Sequence, residues 1–280
     1  MNPSLKVLFA ASEVYPYSKT GGLADVSASL PQALSSANVD VTVVTPFYRS
    51  VRDNFSGQKK HTKQLKIPFK GTLFPAVVFQ EKINPNLQVY FIQCDEFFDR
   101  SELYGTAQGD YSDNAERFSY FSLTVLELCR AFKLKPHIIH CNDWQTGLIP
   151  AYLKRLYGLD RDPVFRGTKT VFTIHNMAYQ GIFPAEIMSC ASIPRDLFSF
   201  QGLEFYDKIN LLKGGLVFAD RLTTVSPKYA EEIQTPEFGH GLEGVLKERK
   251  KDLYGILNGI DYSIWDPEKD LHIAARYGPE

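Results

Sequence analysis

Charge of one sign, paired cysteines and long apolar runs are what this sequence has least of. Its 31 basic and 32 acidic residues leave a formal net charge of −1 over 280 residues. A general nucleic-acid binder would show a basic excess. No block of like charge is long enough to act as an interaction tail; residues 247–252 are a short mixed run. The four cysteines, Cys94, Cys129, Cys141 and Cys190, form no C-x-x-C pair, which sets aside zinc and thioredoxin-type chemistry. Cys129 and Cys141 stand in apolar runs and read as buried thiols of a reducing compartment. Nowhere do about 18 apolar residues run together, so no membrane span is expected. The opening MNPSLKVLFAA is too short and too uncharged for a signal peptide. The expected location is the cytoplasm.

Several motifs are missing too. There is no G-x-G-x-x-G and no G-x-x-x-x-G-K-[ST], against dinucleotide and P-loop readings. A nucleophile elbow, a Ser-His-Asp order and H-E-x-x-H are all lacking, so hydrolase and metalloprotease readings have no support. No His, Asp and Glu cluster has metal-ligand spacing. Internal repeats and low-complexity tracts are absent.

What the chain does have is a core and a rhythm. Hydrophobic residues make up 44%, with 20 Phe and 15 Tyr, enough for a substantial interior. Short apolar runs suited to strands alternate with helix-length patterns. The strand-like runs are 6–12, 39–46, 137–141, 168–175, 221–225 and 253–259. Helical spacing is clear over 22–37, 112–132, 143–156, 208–220 and from Pro227, which Ser226 should cap. Pro31 is expected to kink or end the first helix. Ser112 or Asp113, with Glu116, should cap the second. Alternation of this kind implies βαβ units and a parallel sheet. The stretch 63–94 has a different texture, three runs divided by turn residues, and reads as antiparallel strands inserted in or edging that sheet. Residues 95–112 read as a loop. No Pro/Gly/Ser-rich linker divides the chain, so one domain is expected.

One stretch raises a chemical question. SEVYPYSKTGGLADV, residues 12–26, leaves the first strand and enters the first helix. In open α/β sheets, ligands bind at the carboxyl ends of the strands. A helix start offers unpaired N–H groups and partial positive charge. Gly21 and Gly22 carry no Cβ and would let a phosphate close to the backbone, while Lys19 adds a full charge. A Gly-rich turn with a solvated lysine has the same pattern, and spacing divides evenly between the two.

Other strand ends carry polar groups. His140, Asn142 and Asp143 leave one strand, His175 and Asn176 the next, and Asn258 and Asp261 the last. Taken singly, Asp143 reads as a helix cap, Asn258-Gly259 as a turn, and each histidine as structural. Together they put hydroxyl-binding side chains along one edge, which suits a sugar.

At this point the residues carry a resemblance. SEVYPYSKTGGLADV, HCNDWQTGLIPAYL, FTIHNMAYQGIFP, GLEFYDKINLLKGGLVFADRLTTVSPKYAEEI and ILNGIDYSIWDPEKD resemble, in the same order, the bacterial glycogen synthases and plant starch synthases. The resemblance runs from about residue 5 to 275. It implies the N-terminal half of a GT-B glycosyltransferase. Residues 1–262 would then be a doubly wound, mostly parallel lobe with an antiparallel insertion, and residues 263–280 the start of the connector to a second lobe. It also implies transfer of glucose, with retention, from ADP-glucose to the non-reducing end of an α-1,4-glucan. No cofactor and no metal are implied, and the partners are the donor, the glucan and the second lobe.

Carried over by motif, Lys19, Gly21 and Gly22 would face the donor diphosphate and glucose. Asp25 either joins them or sits in the first helical turn. His175 and Asn176 would line the glucose subsite, Asn258 would bind a glucose hydroxyl, and Asp143 would lie toward the acceptor. Tyr111 is similar to an acceptor-site aromatic of the family; a packed tyrosine fits it equally. The aromatics at 91, 97, 98, 104 and 111 are either a glucan surface or core. Gln145 departs from the family, where many members have histidine. The resemblance further implies that the leaving diphosphate, and no enzyme nucleophile, accepts the acceptor's proton. Two functions stay open: one lobe of a glucosyltransferase, inactive by itself, or a stand-alone glucan- or partner-binding module.

Overall fold

A computed structural model describes residues 4–55, 60–158, 161–262 and 265–278. The expected lobe boundary at 262/263 and the end of the expected connector fall partly on residues 263, 264, 279 and 280, outside the described residues.

The first strand, β1 (Lys6–Ala10), is apolar after Lys6 and buried along Val7–Ala10. Strands covered on both faces read as continuous apolar runs. Helix α1 (Gly22–Ser36) returns the chain to β2 (Asp40–Pro46), which pairs parallel to β1 with Phe9 opposite Val43. Pro31 does not end α1, which runs on to Ser36. Buried Pro31 faces the interior while Leu30 and Leu34 pack on the core, and tertiary packing of an apolar face outweighs local propensity.

After α2 (Arg49–Phe55) comes the expected insertion. Strands β3 (Lys60–Phe69), β4 (Thr72–Asn84) and β5 (Leu87–Gln93) pair antiparallel in sequence, and β5 then joins β2 in parallel. The expected loop 95–112 has more structure than foreseen. It holds α3 (Asp95–Phe98) and a small hairpin of β6 (Gly105–Thr106) and β7 (Gly109–Asp110). Phe91, Phe97 and Phe98 are fully buried, and Phe97 packs against Phe74 and Tyr120. These three rings are core and present no glucan surface.

Helix α4 (Asn114–Phe132) follows. Its expected capping box does not form. The Asp113 carboxylate instead takes both guanidinium arms of Arg100, and Glu116 pairs with Lys70. The chain then crosses to the far side of β1 as β8 (Ile138–Asn142), with Ala10 opposite Cys141. A 3-10 turn, α5 (Leu148–Tyr152) and a wider turn at Leu153–Tyr157 lead to β9 (Lys169–Ile174). A small antiparallel sheet comes next, of β10 (Ile182–Pro184), β11 (Glu204–Phe205) and β12 (Lys208–Asn210), with α6 (Ile187–Cys190) between the first two in the chain. The predicted helix over 208–220 is therefore a strand for three residues. The helix α7 (Leu211–Phe218) begins where the Asn210 side chain accepts the Lys213 N–H. The last elements are β13 (Arg221–Thr224), α8 (Pro227–Glu232) with Ser226 as its cap, α9 (Pro236–Gly239), α10 (Glu243–Glu248) and β14 (Leu253–Gly255).

The main sheet runs β14-β13-β9-β8-β1-β2-β5-β4-β3. Seven neighbouring strands are parallel and the last two antiparallel, as the sequence reading expected. Chain order reverses direction across the sheet between β1 and β8. That switch point opens a crevice outside the strand ends. Helices α4, α5 and α7 pack side by side, and α7 lies so close to β9 that a Cβ on Gly215 would land in the Phe172 ring.

Candidate active site

The loop after β1 turns back on itself at the switch point. The Val14 N–H bonds to the Ser18 carbonyl, and that of Tyr15 to the carbonyl of Ala24 in α1. This tight return exposes residues 19–22 at the rim and turns Glu13 inward, where it is 3% exposed. Glu13 is the residue that the sequence reading missed. Its Oε2 accepts the N–H of Thr20 at 2.5 Å and of Gly21 at 3.2 Å. Its Oε1 accepts the Thr20 hydroxyl at 2.6 Å and the Tyr104 hydroxyl at 2.7 Å. Tyr104 shares its hydroxyl with Ser12 at 2.7 Å. A carboxylate three residues past a strand end, with Thr-Gly-Gly beginning seven residues further on, was the available signal.

Gly21 thus gives its N–H to Glu13, and the next donors of the α1 terminus begin at Gly22. Neither glycine is required by the fold. Gly21 has φ −150°, extended backbone open to any residue, and a Cβ on Gly21 or Gly22 would meet nothing within 4 Å. Lys19 Nζ is held by Asp25 at 2.6 and 2.8 Å and lies 5.5 Å from the Tyr15 ring centre. The pair is 39% and 37% exposed. An ion pair so placed is worth about 0–1 kcal/mol, little enough for a polyanion to draw the ammonium away.

Across the switch point, β8 and β9 end side by side. Asn142 is fully buried; its Nδ2 donates to the Ala10 carbonyl at 3.0 Å, which fixes its Oδ1 toward His175 Nε2, also at 3.0 Å. Since an amide oxygen only accepts, Nε2 carries the proton and Nδ1 is left as the ring's acceptor. Burial holds the His175 imidazole down at about 4, so it is neutral at pH 7. Asp143 does not cap the following helix, as its local sequence suggested. With φ 56° it turns back, and its Oδ1 accepts the His175 N–H at 2.7 Å. Burial pushes its carboxyl up to about 7; N–H bonds from His175 and Asn176 pull it down, and the Glu13 charge adds to the rise. The Asn176 side chain accepts the Ala178 N–H at 3.0 Å. His140 is not at a strand exit. It sits inside β8, with Nε2 2.6 Å from the Thr173 hydroxyl, and burial beside His175 lowers it to about 3.

The other expected site residues divide. Exposed Asn258 lines a cleft of about 570 Å³ together with Tyr15, Gly22 and Asp25. Tyr111 lies apart, with the guanidinium groups of Arg100 and Arg117 4.8 and 5.1 Å from its ring centre, and its hydroxyl takes the Glu102 N–H at 3.3 Å. Gln145 is buried and its Oε1 has no partner among the described residues. Among those residues no group of three or more His, Cys, Asp or Glu side chains could hold a metal ion. No helix among them is long and apolar enough to cross a membrane.

Residues 6–248 match the family described as starch synthase catalytic domain. The chain belongs to that family. It is 48% identical to a glycogen synthase of Thermodesulfovibrio yellowstonii over 98% of this chain and 57% of that protein. It is likewise 48% identical to a glycogen synthase of Koribacter versatilis, over 99% and 56%. The catalytic domain of starch synthase IV from Arabidopsis thaliana, bound to ADP and acarbose, superposes with a TM-score of 0.85 at 33% identity, over 98% of this chain and 56% of that one. The chain thus spans little more than half the length of these starch and glycogen synthases. Its architecture is that of one lobe of a GT-B glycosyltransferase, as the motifs implied.

Proposed function

We propose that this chain is the N-terminal lobe of a retaining glucosyltransferase that extends an α-1,4-glucan from ADP-glucose. The observation that carries the reading is the Gly21-Gly22 pair. Glycine there is needed neither for backbone conformation nor for space, yet it opens the α1 terminus onto the cleft. A ligand that must touch backbone explains it. The ADP held by the Arabidopsis relative supports a nucleoside diphosphate as the class of ligand.

In this reading Lys19 leaves Asp25 for the diphosphate and, with the N–H groups from Gly22 onward, offsets the charge growing on it. The bond from the sugar's anomeric carbon to the diphosphate oxygen breaks. The acceptor's 4-hydroxyl oxygen bonds to that carbon on the same face, and its proton passes to the departing diphosphate. No protein nucleophile enters. His175 offers Nδ1 to a glucose hydroxyl, Asn176 and Asn258 bind others, and Asp143 holds the His175 backbone while lying toward the acceptor. Gly21 keeps the donor side of the turn free of a side chain, and Tyr111 supplies an aromatic wall on the acceptor side. The protein's work is then to position two substrates and stabilise charge.

Residues 263–280 lead to a second lobe that supplies the rest of the nucleotide site. Ile256, Leu257, Tyr262 and Trp265, all more than half exposed, are the surface it covers. The 280-residue chain alone is then inactive, and the location is cytoplasmic. The test is incorporation of glucose from ADP-glucose into a glucan primer. Incorporation by a two-lobed protein, and none by the 280-residue chain, is expected. No incorporation by the two-lobed protein overturns the reading in favour of a binding module.

A further inference from the structure

We infer that Glu13 is a positioning residue that anchors the donor turn, Thr20–Gly22, to the segment carrying Tyr104 and Tyr111; the inference rests on the glucosyl-transfer reading for its catalytic consequence. Four hydrogen bonds meet on this one buried carboxylate. Two come from the N–H groups of Thr20 and Gly21, one from the Thr20 hydroxyl and one from the Tyr104 hydroxyl. Burying a carboxylate is costly unless it is fully hydrogen-bonded, and here every donor but Tyr104 belongs to the turn itself.

The Tyr104 end is equally fixed. Its carbonyl accepts from Asn114 Nδ2 at 2.8 Å and from the Tyr111 N–H at 3.0 Å. Asn114 Oδ1 in turn accepts from Arg117 Nη1 at 2.6 Å, and that guanidinium lies against Tyr111. Glu13 is therefore where the turn that faces the cleft meets the segment that bears Tyr111. It uses up the N–H groups of Thr20 and Gly21, so a phosphate reaches the helix from Gly22 onward. Without Glu13, those two N–H groups and the turn are free to shift. A displacement of about 1 Å costs up to roughly 10²-fold in rate.

Amide hydrogen exchange on the 280-residue chain tests this directly. In the unaltered chain the Thr20 and Gly21 amides should exchange at least about tenfold more slowly than in Glu13→Ala, as loss of hydrogen bonds to a charged group implies. Glu13→Gln should keep most of that protection, because its amide oxygen accepts the same N–H groups and its NH₂ meets the two hydroxyls. Tyr104→Phe should fall between. In the two-lobed protein, Glu13→Ala should lower kcat about 10- to 10²-fold with a smaller change in acceptor KM, and Glu13→Gln should restore most of it. Equal Thr20 and Gly21 exchange in the unaltered and Glu13→Ala chains, with β1 and β8 amides still protected, overturns the anchor. So does a Glu13→Gln chain as unprotected as Glu13→Ala. Protection as expected with no transfer by the unaltered two-lobed protein overturns the transfer reading and leaves the anchor standing.

Discussion

His175 Nε2 stands 3.0 Å from Asn142 Oδ1, and the bond from Asn142 Nδ2 to the Ala10 carbonyl decides which of them donates. The ring is therefore the Nε2–H tautomer, with Nδ1 as the free acceptor. Nitrogen NMR of the imidazole should show that tautomer, with no protonation above about pH 5, given a pKa near 4. A His175 that titrates near 6.5, or an Nδ1–H tautomer, would remove its role as acceptor for a sugar hydroxyl.

Asp143 makes a prediction about pH and stability. Its carboxyl loses a proton near 7 when folded and near 3.8 when unfolded. Between those values the folded chain holds the extra proton, so this group's contribution falls as pH rises from about 4 to 7. His175 works the other way. Its folded value is depressed from 6.5 to about 4, so its contribution is complete above 6.5 and is lost as pH falls toward 4. In Asp143→Asn the first trend is removed and the histidine trend remains. That variant should gain roughly 1–4 kcal/mol relative to the unaltered chain on going from pH 4 to pH 8. Denaturant titrations at both pH values check this; parallel pH profiles would show that Asp143 is not the buried acid described.

Lys19 and Asp25 separate catalysis from stability. Their ion pair is exposed, so Lys19→Ala should change unfolding free energy by less than about 1 kcal/mol. In the two-lobed protein it should lower glucosyl transfer about 10²- to 10³-fold, the usual loss for one preorganised charge-stabilising donor. Asp25→Asn should cost far less. Near-normal turnover by Lys19→Ala would remove the lysine from the mechanism.

Gly215 provides the opposite contrast. A Cβ there meets the Phe172 ring. Gly215→Ala should therefore destabilise the chain by about 1–3 kcal/mol through overpacking, measured by denaturant unfolding. An unchanged stability would mean that α7 and β9 are less closely packed than described.

The fold was legible wherever local pattern and burial agree. KVLFA and DVTVVTP carry short valine-, leucine- and phenylalanine-rich runs and are buried along nearly their whole length, and Ser226-Pro227 caps a helix by purely local bonds. The failures are long-range. Asp113 resembles a helix cap, but Arg100 claims it. Asp143 resembles another, but the parallel pairing of β8 and β9 brings the His175 N–H within reach of its carboxylate. Phe91, Phe97 and Phe98 could have been surface until the insertion closed over them. The motif around Lys19 drew the eye to the lysine and glycines. The carboxylate beneath them, Glu13, became visible only when the turn folded back and brought residues 13 and 20 together.

The most direct measurement pairs the thermal stability of Gly22→Ala with its donor KM in a two-lobed protein. The space beside Gly22 is open, so the added methyl should leave stability unchanged or slightly raised, while donor KM rises at least about tenfold because the methyl occupies the ground a phosphate needs. A stable Gly22→Ala protein with unaltered donor KM would contradict the claim that this turn receives the donor.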